Sequence, residues 1–238
     1  MKGILEAAIA NPWAALRTVL DGPLHPGGEE ATGELLDRAG VTEGTRLVDV
    51  GCGAGESLGV ARARGADAVG VDRNPAGDGT IRGEMTRLPF ADETVEVVLA
   101  ECTVCLADDR ERALAEMSRI LEPGGRLALS DVVVDGELPA LPEPIVRSLC
   151  LRNSRSREET VTELEAAGFT VGELRDHREE LMAMRDRVGE RVDYERLLGL
   201  LGKRGGRLLD GIETVETAVE EGSVGYVSLV ARVEDEDI

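Results

Sequence analysis

The chain has 238 residues, a mass of 25.4 kDa, a formal net charge of −20 and a pI near 4.5, a field that repels nucleic acid and anionic membranes. Aromatic residues make up 2%, too few for base-stacking platforms, and no run approaches the roughly 20 apolar residues of a bilayer span. Partners are therefore expected to be small molecules, with no nucleic acid and no membrane.

In chain order, residues 1–20 read as an amphipathic helix broken near Asn11-Pro12, and 21–28 as a turn-rich loop containing His25. A helix is predicted over 29–39 and a strand over 46–50. A helix over 56–64 and a strand over 68–72 follow, then a short strand over 80–84. The apolar run 95–100 is a strand buried on both faces, and Ala113, Leu114, Met117, Ile120 and Leu121 give 108–121 a helical period. A strand over 126–134, a helix over 157–167 and a strand over 169–174 complete the rhythm. Residues 178–222 break it with two leucine-rich helices around Gly202 and Gly205-Gly206, before a last strand over 224–233 and an acidic tail. Alternation of strand and helix predicts a mostly parallel sheet covered on both sides.

The most informative segment is Leu47-Val-Asp-Val-Gly-Cys-Gly-Ala-Gly-Glu-Ser57. A strand carrying Asp49 runs into glycines at 51, 53 and 55, and a helix starts at once. Such a backbone turns sharply, approaches a ligand closely and aims a helix N-terminus at it. The spacing is not the Gly-x-Gly-x-x-Gly of nicotinamide sites, because Glu56 stands where the third glycine belongs. Another acid, Asp72, stands at the tip of the next strand.

With Leu88-Pro-Phe-Ala-Asp-Glu-Thr94, Ala115-Glu-Met-Ser-Arg-Ile-Leu-Glu-Pro-Gly-Gly-Arg126 and Ser130-Asp131, this loop resembles the class I S-adenosylmethionine-dependent methyltransferases, in the branch similar to ubiquinone-biosynthesis and arsenite methyltransferases. The likeness covers about residues 25–177. It implies an α/β Rossmann-like doubly wound fold, with a mostly parallel seven-stranded sheet and an antiparallel last strand. It also implies S-adenosyl-L-methionine as cofactor and S-adenosyl-L-homocysteine as product. On that resemblance Gly51, Gly53 and Gly55 face the methionine end and Asp49 its amino group. Asp72 holds the ribose, Arg73 packs over the adenine, Glu84 with the Met85 backbone meets the adenine amino group, and Glu101 lies beside the transferred methyl. The segment 75–81 departs from the family, being too short for a full second helix. A non-catalytic cofactor-binding module would carry the same loop.

Candidate acceptor-side residues are His25, which lies in a loop able to fold over the site, and Cys102, Cys105 and Cys150. The resemblance to arsenite methyltransferases implies metalloid-holding thiols at Cys102 and Cys150. It expects a further thiol near the C-terminus, where this chain has Gly225-Tyr-Val-Ser228; Cys105 is the substitute. An oxygen or carbon acceptor, quinone-like or from secondary metabolism, stays open beside it. A lone Cys-x-x-Cys without a second pair predicts no resident metal, Cys52 is a small filler, and His177 is expected at the surface. The four cysteines are expected as free thiols in a cytoplasmic chain, since the N-terminus makes a poor signal peptide. Of the 27 basic residues only Lys2 and Lys203 are lysine, and the acid excess suggests a halophilic origin. At molar salt the screening length falls to about 3 Å and carboxylates cease to repel. The expected organisation is a helical cap (1–40), a cofactor-binding core (41–177), a helical insertion serving as substrate cap or homodimer interface (178–222), and a final strand with its tail (223–238).

Overall fold

A computed structural model describes residues 2–18 and 22–234; the ends of the predicted first helix and most of the acidic tail lie outside them. One sheet organises the chain, in the order β3-β2-β1-β4-β5-β8-β6. Its strands are β1 (Arg46–Val50), β2 (Asp67–Asp72), β3 (Thr80–Arg82), β4 (Val95–Glu101), β5 (Leu121–Val134), β6 (Phe169–Val171) and β8 (Val224–Val233). Strands β1 to β5 are mutually parallel, and β8 runs antiparallel to β5 and β6. The seven predicted strands are thus present, with an eighth of two residues, β7 (Arg175–Asp176), also paired with β8.

The helices are α1 (Lys2–Ala10), α2 (Pro12–Arg17), α3 (Gly28–Arg38), α4 (Glu56–Ala63), α5 (Arg110–Ile120), α6 (Glu143–Ser148), α7 (Arg157–Ala166), α8 (Arg178–Arg191), α9 (Tyr194–Gly199) and α10 (Lys203–Glu221). Local chemistry sets several boundaries. Asp109 accepts from the Arg112 amide (2.9 Å) and starts α5; Ser156 and Glu159 form a reciprocal capping box that starts α7. Pro12 at the first position of α2 divides the predicted N-terminal helix.

Burial explains the layering. One face of the sheet packs Val98, Ala100, Leu127 and Leu129 against Leu114, Met117, Ile120 and Leu164 of α5 and α7. The other packs Leu47, Val97, Leu99 and Ala128 against Leu35, Leu36, Leu58 and Ala61 of α3 and α4. Such near-continuous apolar strands belong to a sheet covered on both faces. The insertion holds three helices rather than two, and with α6 and β8 it builds a third cluster around Leu198, Leu208, Val215, Val219 and Tyr226. Strand β5 begins at Leu121, directly after α5, through an irregular register between Val95 and Val97. As expected, no helix joins β2 to β3. The connecting loop lies on the glycine loop, with the Ala76 amide donating to the Gly53 carbonyl (3.2 Å), and a side chain at Gly77 would collide with the Ala54 carbonyl.

Candidate active site

The carboxyl ends of β1, β2 and β4 open into a cavity of about 590 Å³. In an open α/β sheet this is where ligands bind. The register brings three acids to it: Asp49 of β1 pairs with Gly70 and Leu99, Asp72 ends β2, and Glu101 ends β4 opposite Ser130.

Gly51, Gly53 and Gly55 all have positive φ, at 82°, 56° and 85°. A side chain at Gly51 would collide with Thr103 Oγ1, and one at Gly53 with the Arg17 guanidinium. The loop is held by Asp72, whose Oδ2 accepts from the Gly53 amide (3.0 Å) and whose Oδ1 accepts from Asn74 (2.7 Å). Helix α4 starts immediately after it, with its free amides directed at the cavity mouth.

Asp49 is 3% exposed, and its Oδ2 has no hydrogen-bond partner among the described residues. Burial and then the Glu101 charge push its carboxyl well above the ordinary carboxylate range. A cationic donor beside it would restore its acidity. The orphaned oxygen and the bare glycine loop together fit an ammonium-bearing ligand pressed against backbone.

Glu101 is fully enclosed by donors. Ser57 Oγ donates to Oε2 (2.8 Å), Thr32 Oγ1 lies 3.0 Å from Oε2 and 3.2 Å from Oε1, and His25 Nε2 stands 3.3 Å from Oε2. Burial alone would raise its pKa, but His25 and these hydrogen bonds hold it below 4.5. His25 is 5% exposed; burial acts to lower its pKa, yet the Glu101 charge prevails and raises it above 6.5. Its Nδ1 lies 3.0 Å from the Pro26 carbonyl, which fixes the proton there and leaves Nε2 as the titrating nitrogen beside Thr32 (3.1 Å) and Glu101.

Most of the residues singled out in the sequence converge. Asp49, Gly51, Gly53, Asp72, Arg73, Met85, Glu101, Cys102 and His25 all line the cavity. Gly55 caps α4 at its edge. Glu84 does not line it; its carboxylate takes a hydrogen bond from Arg73 Nε (2.7 Å) at the surface, and Arg73 also reaches Asp108 (3.4 Å). Cys52 packs beneath Gly70, its thiol raised to about 12 by burial and then by Asp49.

The remaining thiols gather behind the cavity wall. Cys150 is within hydrogen-bond reach of both Cys102 and Cys105, and Asp131 accepts from the Cys105 amide (2.7 Å). Cys105 and Cys150 are buried, whereas Cys102 reaches the cavity. All three thiols are raised: Cys102 by the Cys150 bond and burial, Cys105 by burial, and Cys150 by Cys105 and burial against the opposing effect of its bond to Cys102. Cys102 and Cys150 also hold left-handed backbone, φ 49° and 58°, rare for side chains with a Cβ. Among the described residues, no group of three or more His, Cys, Asp or Glu side chains converges as a metal ion requires.

The cavity is covered from the N-terminal segment. No described residue of 178–222 lines the cavity; Asn11, Ala14, Arg17, Pro23, Leu24 and His25 do. Arg17 lies over Gly53, its Nη1 3.5 Å from Glu56. Arg17, Thr32, Ser57 and Thr103 are site residues that sequence reasoning missed, since an arginine or hydroxyl in an ordinary helix or loop carries no local signal. His177, expected at the surface, is buried, its Nε2 2.7 Å from Ser228 Oγ and its ring edge-on to Tyr226.

A doubly wound sheet with a glycine-lined, acid-tipped crevice defines a nucleoside-binding protein. Residues 48–129 match the family model described as a methyltransferase domain. Methyltransferase GfsG of Streptomyces halstedii is 33% identical over 204 residues, 77% of this chain and 73% of that protein. The chain belongs to the class I S-adenosylmethionine-dependent methyltransferases, and S-adenosylmethionine is its cofactor. An arsenite methyltransferase of Halobacterium salinarum is 31% identical over 156 residues, 57% of this chain and 40% of that one. Among solved structures, the [4+2]-cyclase SpnF superposes with a TM-score of 0.68 at 21% identity, over 97% of this chain and 93% of that chain, a likeness of fold alone. No helix among the described residues is long and apolar enough to cross a membrane.

Proposed function

We propose that this methyltransferase acts on an oxygen, or an enolised carbon, of a small organic acceptor, with His25 as the base. The observation that carries the reading is the buried His25–Glu101 pair, which opens on the same cavity as the glycine loop. When bound, S-adenosylmethionine supplies a methyl group already activated on a sulfonium, so the protein's part is alignment and proton removal. Asp49 would hold its amino group, Arg17 its carboxylate and Asp72 its ribose. His25 Nε2 takes the acceptor's proton, and Glu101 steadies the resulting imidazolium, while Pro26 keeps the ring in one tautomer. Similarity to the O-methyltransferase resE of Aspergillus sclerotiorum, 29% identical over 226 residues, supports an oxygen acceptor. The test is an acceptor panel at saturating donor, with products read by mass. Methylated phenols, enols or hydroxy ketones are expected, with turnover lost in His25→Gln; methylation of arsenite alone would overturn the reading.

A second reading, methylation of thiol-bound trivalent arsenic, is favoured by the gathering of Cys102, Cys105 and Cys150 and by the arsenite methyltransferase relative. It ranks below the first because two of the thiols are sealed from the cavity. Arsenite methylation that vanishes in Cys102→Ser would promote it.

The net charge of −20 further supports work in concentrated salt. The thermal midpoint is expected to rise from dilute buffer to molar KCl; a midpoint that falls or stays level refutes this.

A further inference from the structure

At the opposite end of the sheet from the cofactor crevice lies a second cavity, of about 660 Å³, whose charged lining is Arg38, Arg126, Arg232 and Glu234. The chain as a whole is strongly acidic, so three arginines around one cavity run against its field. Their placement follows from register. Arg126 near the start of β5 and Arg232 near the end of β8 are direct cross-strand partners, so their side chains leave the same face of the sheet, the face on which Ala128 packs with α3. Like charges directly opposite each other on a sheet repel. Arg38, in the last turn of α3, reaches the same place.

None of the three forms an ion pair with a described carboxylate. Arg38 donates to Ser228 Oγ (2.7 Å) and the Glu173 carbonyl (2.7 Å), and the nearby Glu34 and Glu173 carboxylates are both engaged by Arg175. Arg126 Nη1 donates to the Ala39 carbonyl at the end of α3 (2.6 Å), while its Nε is buried with no partner. Arg232 has no side-chain hydrogen bond among the described residues. The one carboxylate in the lining, Glu234, takes a long hydrogen bond from Thr170 (3.4 Å) and leaves the lining cationic.

The structure assigns this cavity as a binding site for a multiply charged phosphate-class oxyanion. A tetrahedral oxyanion between Arg126 and Arg232 would accept from the orphaned Nε and turn the opposed guanidinium groups from repulsive to bridged. Arginine is the residue that matches phosphate by paired donors. The volume exceeds one phosphate group and admits a diphosphate.

The test is calorimetric titration of the whole chain with inorganic phosphate and with pyrophosphate, at ionic strength held constant with KCl. The salt used is the lowest at which circular dichroism shows the fold. Pyrophosphate is expected to bind with Kd below about 1 mM, more tightly than phosphate and undisturbed by saturating S-adenosylhomocysteine. Arg232→Gln removes a side chain with no structural bond, so it should fold and bind S-adenosylhomocysteine as the parent does, yet lose pyrophosphate affinity by about tenfold or more. No heat above the KCl blank, displacement by S-adenosylhomocysteine, or unchanged affinity in a folded Arg232→Gln would each overturn the assignment.

Discussion

The two halves of the active-site cavity are built by different means. On the proposed reading, the cofactor half is mostly backbone, three glycines at positive φ and the amides of α4, joined by the acids at the ends of two adjacent strands. On the same reading, the acceptor half is made of side chains delivered from far apart: His25 before the sheet begins, Glu101 and Cys102 at the end of β4, with Cys150 behind them. A backbone site admits almost no substitution, because a Cβ has nowhere to go. A side-chain site changes its chemistry one residue at a time while the scaffold stands, which is how one fold serves many reactions.

The difference can be broken at its strongest point by Gly51→Ala. The left-handed backbone costs about 1–2 kcal/mol for a non-glycine residue, and the new methyl would collide with Thr103. Calorimetry should show S-adenosylhomocysteine affinity reduced by about a hundredfold or more, with thermal stability lowered as well. Uptake within a few-fold of the parent would show that the loop is not the cofactor's seat.

On the acceptor side, His25→Gln should lower kcat by about 10²-fold or more while leaving S-adenosylhomocysteine affinity within a few-fold. The same variant sharpens the comparison through pH. His25 has its folded pKa raised above 6.5, so its contribution to stability is complete below that value and fades as pH rises through the raised one. Glu101 has its pKa lowered from 4.5, so its contribution is present above that value and fades as pH falls through the lowered one. The pair therefore stabilises most between about pH 4.5 and 6.5. If His25 is the base proposed above, catalysis needs it unprotonated, so kcat should climb with pH where this stability declines, and both trends should flatten in His25→Gln. A profile of kcat against pH unchanged by the substitution would remove His25 from the mechanism.

Asp49→Asn should separate binding from stability. Cofactor affinity should fall by about tenfold, whereas the melting temperature of the ligand-free chain should hold or rise, because a buried carboxylate with an unpartnered oxygen is replaced by a neutral amide. The smallest effect is expected for Arg17→Ala, a several-fold weakening of S-adenosylhomocysteine at low salt that shrinks as KCl is added, since its guanidinium is partly exposed. An Arg17→Ala variant indistinguishable from the parent would leave α2 as cover without a ligand contact.

How much was legible follows the same division. Strands β1, β2, β4 and β8 were readable as apolar runs, and α5 as a helical period. The glycine loop and the strand-end acids Asp49 and Asp72 were readable because turning a backbone and ending a strand are demands made within a few residues, whereas Glu101 was marked by the family resemblance. The missed features lacked such a demand. Helix α6 is short, and β7 has two residues. His177 looked like a surface residue because nothing near it in sequence reveals Ser228 and Tyr226 closing over it.

The sequence by itself determined a sheet covered on both faces, the crevice at its carboxyl edge and the nucleoside-binding loop, because backbone geometry and hydrophobic period are local properties written in neighbouring residues. Only the tertiary structure decided that His25 meets Glu101, that Arg17 covers Gly53, that three thiols gather, and that Arg126 faces Arg232 across two strands. These are meetings of residues distant in sequence. Strand order and register select them, and no local preference encodes either.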